Sequence, residues 1–133
     1  MADKVAAEVC EQEFKRLCAA RRIDDDVASM TEPERKAFEA RKRPLMRAMA
    51  RKELIISPEG NPVFTPQGGK PITFHKATGA SLMAGDGFAD GQDVHRLVAV
   101  ATEITKSTPG DLSKLELEDF RAVSDIANFL LTR

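Results

Sequence analysis

The chain has 133 residues, of which 42% are hydrophobic and 31% charged, with a net charge of −1. That length fits one domain, or one domain with a helical extension, and suffices for a buried core without disulfide or metal staples. The absence of Trp and Tyr argues mildly against an aromatic enzyme pocket or a base-stacking platform.

The first expected element is a helix over residues 3–22. Val5, Val9, Cys10, Phe14, Leu17 and Cys18 recur at spacings of three and four and form one apolar stripe, with Asp3 as cap. Cys10 and Cys18 would lie about 12 Å apart along such a helix, beyond disulfide reach, and read as free thiols in a reducing compartment. The acidic run Asp24, Asp25, Asp26 ends the helix or starts a turn.

A second helix starts at Thr31. Thr31 and Glu34 have capping-box spacing, and Pro33 suits the first turn. Phe38, Leu45 and Met49 share a face, with Met46 nearby. Pro44 predicts a bend near residues 40–43, or a fresh helix from Pro44. Residues 53–66 read as a β-hairpin, Leu54-Ile55-Ile56 and Val63-Phe64 flanking a turn at Ser57-Pro58-Glu59-Gly60-Asn61. Pro62 and Pro66 predict that the return strand is an edge. Ile72-Thr73-Phe74-His75 makes a third short strand.

A short helix is expected over residues 78–84, and Gly85, Gly87 and Gly91 break up the stretch after it. A helix from Gln92 or Asp93 turns Val94, Leu97, Val98, Ala101 and Ile104 inward and is closed by Pro109-Gly110. Ser113 and Glu116 suggest another capping box. The last helix turns Leu117, Phe120, Val123, Ala127, Leu130 and Leu131 to the core. The fold class is therefore α+β: a helical N-terminal arm over residues 1–52, then a compact domain over 53–133 with a small antiparallel β element and C-terminal helices.

No constellation demands catalysis or a cofactor. Asp86, Asp90 and Asp93 invite a calcium loop, but an EF-hand starting at Asp86 would meet Phe88 and Leu97 where it needs oxygen ligands. His75, His95, Cys10 and Cys18 lack the paired spacing of zinc sites. Ser81 is not in a nucleophile elbow, and Gly68-Gly69-Lys70-Pro71 is not a phosphate loop. Glu116, Glu118 and Asp119 suit a helix start. We expect no catalytic, cofactor or metal residues. No stretch approaches the ~18 apolar residues of a membrane span, and the charged start lacks a signal-peptide core, so a cytoplasmic location is expected.

The strong charge signal is basic. Residues 1–52 carry +3 and residues 53–133 carry −4, and residues 35–52 hold eight basic residues with one acid, Glu39. Arg43, Arg47 and Arg51 fall at i, i+4 and i+8 on one helix face, with Glu39 placed to pair with Arg43. The row reads as a solvated face, a protein-binding stripe, or a DNA-reading helix followed by a wing. The near-neutral overall charge and the acidic C-terminal half disfavour nucleic acid.

The order Ile72-Thr73-Phe74, Thr78-Gly79, a helix over 94–105, Pro109-Gly110, Leu112 and Leu115, Asp119, and Phe129-Leu130 resembles the Mu-like tail assembly chaperones of long-tailed phages. The resemblance covers a little under half the chain. His75 and Ala77 stand where the family often has Arg and Pro, and residues 1–52 are longer than its usual N-terminal part. It implies a cofactor-free protein that binds the tape-measure protein, or another tail protein, during tail assembly. A structural tail or neck subunit and a small nucleic-acid-binding regulator are the alternatives. For a binding role the candidate residues are Arg43, Arg47 and Arg51 with Met46 and Met49, whose flexible side chains suit an adaptable apolar surface.

Overall fold

The computed structural model describes residues 6–67, 69–76 and 93–131. Among these are five α-helices, α1 (Ala7–Arg21), α2 (Glu32–Ala50), α3 (Asp93–Thr105), α4 (Pro109–Ser113) and α5 (Leu117–Leu131). An antiparallel sheet, β1 (Leu54–Ile56), β2 (Pro62–Phe64) and β3 (Ile72–Thr73), lies between α2 and α3 in the chain. The architecture is α+β, as the residue patterns predict. Asp3, the expected helix at 78–84 and the glycine-rich stretch with Asp86 and Asp90 lie outside the described residues, as do the side chains of Val94, His95 and Leu131.

α1 buries Cys10, Phe14, Leu17 and Cys18. Val9 is 44% exposed, so the buried stripe is narrower than the one read from spacing. The helix ends on Arg22 at φ 57°, with the N–H groups of Arg22 and Ile23 both donating to the Cys18 carbonyl. The aspartate run makes local hydrogen bonds: Asp24 accepts from the Asp26 N–H, and Asp26 accepts from the Ser29 hydroxyl of a short 3₁₀ turn.

α2 opens with the expected capping box. The Thr31 hydroxyl accepts from the Glu34 N–H, and Glu34 accepts from the Thr31 N–H at 2.8 Å. No fresh helix begins at Pro44, because α2 is continuous from Glu32 to Ala50 with Pro44 inside it. Proline removes one backbone bond at a cost of about 3 kcal/mol. The burial of Leu45, Ala48 and Met49 just beyond it offsets that loss.

The return strand β2 is central, not an edge: β1 pairs with one side through Leu54↔Phe64, and β3 with the other through Phe64↔Ile72. Pro62 is tolerated there because it opens the strand. Its carbonyl accepts from the Phe74 N–H at 2.8 Å. The reciprocal donor, which proline lacks, is supplied from α1: Arg21 Nη2 donates to the Phe74 carbonyl at 2.6 Å and to Asn61 Oδ1 at 3.0 Å. α1 also covers the outer edge of β1. Arg16 donates to the Ile56 carbonyl and Glu13 accepts from the Ile56 N–H, which closes that edge to another strand.

One core crosses the boundary expected at residue 52. Phe14 of α1, Phe38 of α2 and Phe129 of α5 meet with ring centroids 5.5–6.1 Å apart. The core continues through Leu54, Phe64 and Phe74 of the hairpin region and Ile104 of α3. The N-terminal helices thus share a core with the C-terminal part. Lys42 secures the seam, lying 4.6 Å from the Phe14 ring centroid and 3.2 Å from the Glu11 carboxylate.

α3 buries Val100, Ala101 and Ile104, and the Ile104 carbonyl accepts from the His75 N–H. Pro109-Gly110 starts the short helix α4 in addition to closing the preceding unit. Thr108 and Asp111 form the capping box of α4, and the box expected of Ser113 and Glu116 at the last helix is not formed, Ser113 lying inside α4 with its hydroxyl donating to the Gly110 carbonyl. α5 buries Val123, Ile126, Ala127 and Phe129, whereas Leu117, expected inward, is 63% exposed at the start of the helix.

Candidate functional site

α2 divides the candidate residues by helical geometry. Phe38, Leu45, Ala48 and Met49 face the core. Arg43, Arg47 and Arg51 are exposed on the opposite side. Arg51 is the C-cap residue, and its N–H donates to the Arg47 carbonyl. Cations suit this end of a helix because the unsatisfied carbonyls there carry partial negative charge. Among the described residues no carboxylate lies within ion-pair distance of the three guanidinium groups, and the expected Glu39–Arg43 pair is not formed.

The two methionines go elsewhere. Met49 is fully enclosed, at 0% exposure, and Met46 is half-buried against the core. Met49 therefore cannot meet a partner without unfolding, and the adaptable apolar surface expected beside the arginines reduces to part of Met46.

A second feature lies on the other flank of α2. A groove of about 780 Å³ opens between the end of α1, the turn through residues 23–30, α2 and the end of α5. Ile23, Met30, Ala37, Phe38 and Leu130 give it an apolar floor. Arg21, Arg22, Arg41 and Lys76 line it, against the two carboxylates Asp24 and Glu34. Each of those carboxylates accepts from a backbone N–H, Asp24 from Asp26 and Glu34 from Thr31, and the bonds from Thr31 hold the Glu34 carboxyl below its usual range. Arg21 is occupied by Asn61 and Phe74, and its burial lowers its pKa. Arg41 has a buried Nε with no acceptor among the described residues.

Residue spacing does not single out Arg41 within the basic block. The available signal is its place at i+3 from Phe38 and i+7 from Glu34, a cation at the margin of the apolar stripe. The two flanks are separate, because two residues advance a helix by about 200° and so turn Arg43 away from Arg41.

Cys10 and Cys18 are free and buried in the core. Burial pushes the Cys18 thiol up to about 12 and raises that of Cys10 as well. Among the described residues no group of three His, Cys, Asp or Glu side chains is placed to hold a metal ion, and no helix is long and apolar enough to cross a membrane. Comparison of the chain with protein-family models, with curated proteins and with solved structures finds no match.

Proposed function

We propose that this protein is a non-enzymatic tail assembly chaperone of a phage or prophage, acting in the bacterial cytoplasm by binding the tape-measure protein or another tail protein. The resemblance over residues 72–131 motivates the reading, and one observation supports it. Arg43, Arg47 and Arg51 stand exposed and without ion pairs among the described residues, on a helix whose other side is locked into the core. The row spans about 12 Å. It matches carboxylates at the same spacing on a partner helix, and its fixed backbone lowers the ordering cost of binding.

The test is co-purification of the full chain with a long, helix-rich tail protein after prophage induction, at moderate and at high salt. Capture at both salts that is lost when Arg43, Arg47 and Arg51 are all replaced by Glu, with the melting temperature kept, supports the chaperone. Nucleic acid recovered alone and lost steeply with salt moves the assignment to the regulator. Rings or tubes formed by the concentrated protein move it to a structural tail subunit.

A further inference from the structure

We propose that the groove between α1, α2 and α5 docks an acidic amphipathic helix of a partner protein, a carboxylate meeting Arg41 and apolar side chains covering Met30, Phe38 and Leu130. The proposal rests on the reading that the protein binds another protein, and it places the contact on the flank opposite the exposed arginine row.

Three observations lead to it. The first is charge complementarity. The groove's own carboxylates, Asp24 and Glu34, are engaged by backbone N–H groups. Arg22, Arg41 and Lys76 have no carboxylate within ion-pair distance among the described residues. The surplus in the groove is therefore positive and faces whatever enters it.

The second is Arg41 itself. Arg41 lines the groove and its guanidinium has no hydrogen bond or ion pair among the described residues; the Nε is enclosed, which leaves the Nη groups to meet an entrant. A carboxylate meets a guanidinium through two parallel bonds, which makes it the complementary group. The third is size and floor. About 780 Å³ over partly exposed Ile23, Met30 and Leu130 is far more than one small anion fills, and the apolar floor gives such an anion nothing to cover. Carboxylates and apolar side chains together on one helix face satisfy both halves of the lining.

The experiment uses the full chain labelled at its methyl groups. The probe is a synthetic helical peptide of about 15 residues, alanine-based, with Leu and Glu on one face. Comparison peptides carry Gln or Lys in place of Glu, and sodium glutamate serves as a small-anion control. The Leu/Glu peptide should shift the methyl signals of Ile23, Met30 and Leu130 and leave Ile55, on the sheet, unmoved. Arg41→Met keeps the apolar stem and should weaken binding at least about tenfold. Arg41→Lys should restore part of it, and the Gln and Lys peptides should bind correspondingly worse.

The proposal is overturned if the Leu/Glu peptide leaves those signals unmoved at millimolar concentration. It is equally overturned if Arg41→Met and wild type bind alike, or if glutamate alone gives the same shifts. Should Arg41→Met fail to fold, Arg41→Lys and the Glu-to-Gln peptide comparison on the wild type still decide it. Capture of a tail protein that Arg41→Met leaves unchanged sinks the groove and spares the chaperone reading. A groove that takes the peptide in a chain capturing no tail protein does the reverse.

Discussion

Gly60 joins the two halves of the chain, and replacing it with Ala tests how tightly. Gly60 sits at φ +86° in the hairpin loop, where its N–H donates to the Ser57 carbonyl and the Ser57 N–H donates to the Asn61 carbonyl. A three-residue hairpin loop wants glycine at that left-handed position. A Cβ there would overlap the Cβ of Ala20 on α1. Two costs add: about 1 kcal/mol for an L side chain at positive φ, and about 2 kcal/mol for the forced overlap in a packed contact. The expected loss is about 3 kcal/mol, or about 10 °C in melting temperature for a chain of this size. Denaturant titration followed by far-ultraviolet circular dichroism suits a chain with neither Trp nor Tyr, and the midpoint should fall with the slope unchanged. Ala20→Gly alone should cost at most about 1 kcal/mol. Combined with Gly60→Ala it removes the overlap but not the φ strain, so the pair should be more stable than the sum of the singles by about 2 kcal/mol. Additivity within about 0.5 kcal/mol would refute the contact between turn and helix.

Arg21→Ala leaves the Phe74 carbonyl without its donor beside Pro62 and should cost about 2 kcal/mol in thermal or denaturant unfolding; a neutral result would mean that water replaces the guanidinium. Thr31→Ala removes the α2 cap and should cost about 1 kcal/mol. The cap also sets a pH dependence. Glu34 has a folded pKa below its usual 4.5, so its contribution is complete above about that pH and is lost as pH falls through the lower folded value. Glu34→Gln, which removes the titrating carboxyl, should flatten this acid-side slope in unfolding midpoints measured from pH 6 down to 3, and an unchanged slope would contradict the assignment. Burial holds the Cys18 thiol near 12 and raises Cys10, so a thiol reagent at pH 8 should label neither in the native protein and both in denaturant. Rapid native labelling of Cys18 would contradict its enclosure.

The sequence alone determined what depends on neighbours along the chain. The Thr31–Glu34 capping box, the hairpin turn at 57–61, the third strand at Ile72-Thr73 and the Cys10–Phe14–Leu17–Cys18 stripe all arise from spacings of two to four residues. Local sterics and hydrogen bonding fix such features before any tertiary contact. The exposed row of Arg43, Arg47 and Arg51 was legible for the same reason, since helical period alone puts them together and apart from the core face.

Where the fold departs from local expectation, a distant residue changes the balance. Pro44 does not break α2 because the helix around it is held by core burial, and Pro62 opens a central strand because Arg21, forty-one positions earlier, donates where proline cannot. Met49 has the composition of a binding residue and the position of a core residue; only the packing of α2 within the fold distinguishes the two. Phe14, Phe38 and Phe129 share one cluster across the boundary at residue 52, a contact no local pattern announces. The groove at Arg41 exists only because α1, α2 and α5 converge. Local propensity is a weak term that burial and long-range hydrogen bonds override wherever they act, and no spacing along one helix reveals what the others will enclose against it.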